Sequence, residues 1–134
     1  MATARFEQIY SRTKLASGLI LFTFLATHLI NHTLGIISLQ AMEAGAGVFK
    51  FVWRSWPGTV LLYVAAITHP LLALFNWLRR GHYRGIQWQG WVQLALGLCV
   101  PPLVVDHVIG TRGLHEAMGV NDSYAYVLIA QFVQ

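Results

Sequence analysis

The chain has 134 residues, 56% of them hydrophobic and 10% charged, with a formal net charge of +4 and one cysteine. An ordinary soluble domain is about 25% charged, so this composition excludes one and points to an integral membrane protein. No Lys/Arg run is longer than Arg79-Arg80. The positive balance therefore reads as basic loops at a membrane face and excludes nucleic acid as a partner.

Residues 1–14 are polar and carry Arg5, Arg12 and Lys14. Residues 15–37 contain no Asp, Glu, Lys or Arg. As a helix they reach roughly 34 Å, enough to cross a bilayer core. This run is too long for the apolar part of a signal peptide and is read as the first span. Residues 38–56 mix Glu43, Lys50 and Arg54 with Met42, Val48, Phe49, Phe51, Val52, Trp53 and Trp56, the pattern of a helix lying in the interface. Ala44-Gly45-Ala46-Gly47 lowers its helix propensity.

Pro57-Gly58 opens the second span, residues 57–78, because proline suits the first helical turn. Within it Pro70 follows His69 and presses on the Ala66 carbonyl, so a kink is expected there. A short polar link with His82 and Arg84 leads to the third span, residues 88–111. Pro101-Pro102 interrupts that span, and Asp106-His107 lies toward its end. A polar loop is expected over 113–123. The apolar stretch 124–134 is too short to cross a bilayer, so it reads as a second interfacial segment or the start of an incomplete span. Cys99 can form no internal disulfide and is expected to pack as a small core residue.

The fold class is thus an all-α integral membrane bundle with three spans and interfacial segments, truncated from a larger bundle and lacking a soluble catalytic domain. The N-terminal segment and the second loop hold Arg5, Arg12, Lys14, Arg79, Arg80 and Arg84; the opposite side holds Lys50, Arg54 and Arg112. This asymmetry places the N-terminus in the cytoplasm. The first and third spans also echo each other. Gly18-Leu19 precedes His28 by the same spacing at which Gly97-Leu98 precedes His107.

Of the six histidines, His28, His69 and His107 sit inside the spans, one on each. His32 lies one turn above His28 on the same face. Imidazoles at membrane depth need partners, and such residues commonly mark functional sites. Zinc or copper usually takes closer clusters or carboxylate and thiolate ligands. A proton relay resting on Asp106 alone is thin. Haem fits best, since its iron takes axial imidazoles and its macrocycle needs apolar helical walls. The repeat pairs His28 with His107 and leaves His69 awaiting a fourth histidine for a second haem. Counting from the span ends leaves a His28–His69 pair open. His32 drops to a residue lining the haem or a quinone pocket. Arg112 and His115, just past the third span, suit a haem propionate or a quinone oxygen, or a plain interfacial anchor.

Several stretches together resemble one family. They are Ser17-Gly18-Leu19, His28-Leu29-Ile30-Asn31-His32, Leu39-Gln40-Ala41-Met42-Glu43-Ala44-Gly45, Pro57-Gly58-Thr59-Val60-Leu61-Leu62-Tyr63 leading to His69, His107-Val108-Ile109-Gly110-Thr111-Arg112, and Asn121-Asp122-Ser123-Tyr124-Ala125-Tyr126-Val127-Leu128. They resemble the N-terminal membrane anchor of certain bacterial class III adenylate/guanylate cyclases. That anchor is similar to the cytochrome b membrane subunits of succinate dehydrogenase and fumarate reductase. The resemblance implies a di-haem b bundle in the bacterial cytoplasmic membrane, electron exchange with quinone, and redox control of a following cyclase domain. Neither that domain nor a helix carrying the fourth histidine is in the sequence, so the chain is not expected to be an enzyme by itself. Its expected partners are lipid, quinone, a cyclase domain or other catalytic subunit, and further copies of the chain. Two alternatives stand beside this reading: the anchor subunit of a succinate dehydrogenase-like respiratory complex, and a non-haem structural anchor.

Overall fold

A computed structural model describes residues 2–79 and 85–132. Arg80, His82 and Arg84, which entered the sequence reading, lie outside the described residues, as do the last two of 124–134. The described chain is helical without strands: α1 Ala2–Thr33, a 3-10 turn Leu34–Ile36, α2 Leu39–Trp53, α3 Trp56–Leu78, α4 Trp88–Val108, a π-helical segment Ile109–Gly113, α5 Leu114–Met118 and α6 Tyr124–Phe132. Three stretches are long and apolar enough to cross a membrane: Ala4–Ile36, Trp56–Leu78 and Trp88–Met118. The all-α membrane architecture read from the sequence is therefore present, with its three spans.

Two boundaries differ from expectation. The polar first 14 residues continue the helix of the first span instead of preceding it. They contain no Gly or Pro, so nothing stops a helix from propagating through them. The expected loop over 113–123 is helical as far as Met118. Leu114, Glu116, Ala117 and Met118 are strong helix formers, and Arg112 Nε reaches Glu116 Oε1 at 2.6 Å across one turn. Gly119, at φ +67°, adopts the left-handed conformation that ends the helix.

The corners follow ordinary capping chemistry. Ser38 is extended, and its hydroxyl accepts from the Ala41 N–H at 3.0 Å to start α2. Ser55 accepts from the Gly58 N–H at 3.2 Å to start α3, with Pro57 in the first turn. Pro70 in α3 and Pro101 and Pro102 in α4 all lie inside helices that continue past them.

The chain divides into two compact units, Met1–Gly81 and His82–Gln134. In the first, α1 packs against both α2 and α3. What it buries is mostly small or polar: Ser17, Asn31, Ala46 and Ala65, with the flexible Met42 beside them. What it presents outward is large and apolar, including Phe22, Ile30, Phe51 and Ile67. Such an inside-out distribution suits lipid as the solvent, where helices associate through small residues and polar contacts and not by hiding apolar area. In the second unit α4 has no buried residue, and Cys99, expected in a core, is exposed.

Ala65, 2% exposed, leaves no room for a larger side chain, whereas its neighbour Val64 is 57% exposed. Ala65→Leu is expected to lower stability in detergent by about 1–3 kcal/mol, and Val64→Leu to leave it nearly unchanged; paired thermal unfolding curves check this.

Candidate functional site

The contact between α1 and α3 is antiparallel and carries most of its polar chemistry at three levels. At one end Glu7 Oε1 meets Arg79 Nη2 at 3.0 Å, and the guanidinium lies 5.7 Å from the Phe6 ring centre and 5.4 Å from that of Phe75. Further along, the Tyr10 hydroxyl donates to the Leu72 carbonyl at 2.6 Å. Next, Ser17 Oγ lies 3.2 Å from His69 Nδ1 and donates to the Lys14 carbonyl at 3.1 Å. Beside it the Cε1 edge of the His69 ring meets Gly18: a Cβ there would sit 3.0 Å from His69 Cε1 and 3.4 Å from Nδ1. The absence of a side chain at Gly18 is what lets the imidazole approach α1 so closely.

His28 occupies a second location, under α2. Its ring stacks on Phe24 with centres 5.7 Å apart and planes 7° from parallel. Phe49 of α2 tilts over both rings, at 5.4 Å from Phe24 and 5.3 Å from His28. Trp53 meets Phe24 edge-on at 5.3 Å, and its indole N–H donates to Thr27 Oγ1 at 3.1 Å. Phe24, Thr27, His28 and Asn31 fall on one helical stripe. That stripe explains why α2 settles there: aromatic rings and a hydroxyl on α1 receive Phe49 and Trp53. His32 stands edge-on to His28, with the two Nε2 atoms 3.1 Å apart. The one-turn stacking of the two histidines expected from their spacing is thus direct contact.

These contacts separate His28 from His69. His69 faces Ser17 and Gly18, and His28 is about ten residues further along the same helix, or ~15 Å of rise. The pair left open by the sequence is not brought together, and the two imidazoles do not meet at one iron. Counting from the span ends does not fix the register of α1 against α3, which sets Ser17 and Gly18 opposite His69. The regular helix ends at Thr33, so His28 stands only about one and a half turns from its end.

The other candidates lie in the second unit. His107 is exposed on α4, and its carbonyl accepts from Thr111 Oγ1 at 2.7 Å. Arg112 is engaged with Glu116. His115 Nδ1 lies 2.8 Å from the Val120 carbonyl, an acceptor only, so Nδ1 carries the proton and the ring closes the turn after α5. That is a structural use of a residue also considered for propionate or quinone.

Sequence reasoning passed over Ser17, Tyr10 and the Phe24–Phe49–Trp53 cluster. For Ser17 the only available signal was its position beside Gly18, since nothing in the sequence ties it to a histidine 52 positions away. Among the described residues no three His, Cys, Asp or Glu side chains converge as a metal cluster. The donors present are imidazoles without a thiolate or carboxylate set. One of them, His69, has its Nδ1 engaged by a buried hydroxyl and is cradled by a glycine. Such a donor set fits the axial positions of a haem better than a closed zinc site. For His28 the fit requires its Nε2 to leave His32.

The fold and these contacts define a class: a helical protein with three membrane-spanning stretches whose first two carry oriented imidazoles. No family model, curated protein or solved structure matches the chain.

Thr27→Val removes the acceptor for the Trp53 indole and is expected to cost about 0.5–1.5 kcal/mol. Thr23→Val, whose hydroxyl bonds only to the Leu19 carbonyl of its own helix, is the control. Thermal unfolding in detergent compares the two.

Proposed function

We propose that the chain is a b-type haem anchor of the bacterial cytoplasmic membrane, its N-terminus on the cytoplasmic side. In this reading it exchanges electrons with the quinone pool and relays the redox state to a cytoplasmic adenylate cyclase domain. The observation that carries the reading is His69: an imidazole on a membrane-spanning helix, seated against Gly18 with Nδ1 engaged by buried Ser17.

His28 would hold one haem and His69 a second, each together with a further imidazole. When bound, the haem supplies reversible one-electron chemistry. The chain's own residues orient and shield it. Phe24 and Phe49 wall the His28 ring and keep water from it. His32 holds His28 Nε2 until the ligand bond replaces that contact. Arg112 offers a cationic group to a propionate or a quinone oxygen, in competition with Glu116.

One observation favours a second reading, the anchor subunit of a succinate dehydrogenase-like respiratory complex. Two imidazole levels about 15 Å apart along α1 suit conduction of electrons across the membrane, whereas a redox sensor needs only one level. A flavoprotein and an iron–sulfur protein purifying with the chain would select this reading; a fused or associated cyclase domain would select the first.

A dithionite-reduced minus oxidised spectrum of the detergent-purified full-length protein tests both. Soret and α bands are expected, and their absence rejects haem binding in either form. His28→Ala and His69→Ala are each expected to remove about half of the absorbance of a two-haem protein, and His32→Ala to leave it unchanged. Loss on replacing His32 but not His28 would reverse the ligand assignment.

A further inference from the structure

Ser17 is 5% exposed, in the contact between two membrane-spanning helices. Its hydroxyl has one proton, and that proton is directed to the Lys14 carbonyl at 3.1 Å. The face turned to His69 Nδ1, 3.2 Å away, is therefore a lone pair. A lone pair can only accept, so Nδ1 carries the proton of the neutral imidazole, and Nε2 is left as the unprotonated nitrogen. The result is a directed chain, from His69 Nδ1–H to Ser17 Oγ–H to the Lys14 carbonyl. Gly18 completes the seat, because the ring lies so close to its Cα that a Cβ would reach Cε1 at 3.0 Å.

We infer that Ser17 is a positioning residue that fixes the tautomer of His69, presents its Nε2 lone pair to a haem iron, and tunes the potential of the haem bound there. The inference rests on the haem reading of His69. A ligand imidazole that donates its second N–H becomes a stronger electron donor. A stronger donor favours the oxidised iron and lowers the midpoint potential. Removing the acceptor reverses this and raises the potential of that haem alone. His28, with a ring stack on one side and His32 at its Nε2, belongs to another level and is not touched by the change.

The experiment is a potentiometric titration of the detergent-purified full chain, followed at the α band, for the natural protein and for Ser17→Ala, Ser17→Cys and Ser17→Thr. Ser17→Ala is expected to retain haem and to raise one redox component by up to tenfold in its equilibrium constant, or ~59 mV for one electron, leaving any other component in place. Ser17→Cys nearly preserves volume while weakening the acceptor, and is expected to move the same component in the same direction. That variant keeps the test open if the alanine protein does not accumulate. Ser17→Thr keeps the hydroxyl and is expected to restore the original value. The low-spin ferric EPR signal of the same component should shift with the first two variants and return with the third. Haem present with unmoved potential and EPR signal in Ser17→Ala and Ser17→Cys overturns the role of Ser17 and leaves the haem reading standing. A natural protein with no haem bands overturns both.

Discussion

Within the first unit everything depends on how α1 meets α3. In a bilayer there is no water to satisfy a polar side chain, and lipid gives apolar groups no reason to hide. Tyr10, Ser17 and His69 therefore find partners on the opposing helix, or on the carbonyls of their own. Each such bond is modest, about 0.5–1.5 kcal/mol. Together they set the register of the two helices, because a shift by one turn would break the Tyr10–Leu72 and Ser17–His69 contacts. The Glu7–Arg79 pair at the end of the contact is half-exposed and adds little stability by comparison.

Register in turn decides what the histidines can do. With Ser17 and Gly18 opposite His69, the His28 ring is carried well up the helix, where α2 folds back over it. The two imidazoles then occupy different surroundings. His69 sits on bare backbone with a hydroxyl at Nδ1, and His28 sits in a stack of aromatic rings with a second imidazole at Nε2. Helix α3 thus holds one imidazole against Ser17 and Gly18, and α1 holds another in contact with His32.

Helix α2 shows how local pattern and tertiary contact cooperate. Its glycines lower its helix propensity, yet Ala46 lies buried in the contact with α1, where small residues allow close approach. Phe49 and Trp53 then reach Phe24, His28 and Thr27. A stretch that is a weak helix former alone becomes a lid on α1 because its small residues fit and its aromatic residues stack. Its outer face leaves Val48 and Phe51 exposed.

Much of the architecture was legible in the residues themselves. Apolar length determined the three spans, Ser55 and Pro57 the start of α3, and the spacing of His28 and His32 their contact, because bilayer thickness, capping and helical periodicity act over short stretches. The continuation of α1 to Ala2 and of the third span to Met118 was open to the same local reasoning, through helix formers and Gly119, but polarity was read there as loop. Only the tertiary structure decided that Ser17 faces His69, that Gly18 meets the edge of that ring, and that His28 and His69 lie at different levels. Those facts rest on the register between two helices. Register is set by the joint satisfaction of polar groups distant in the chain, and no local pattern of a single helix contains it.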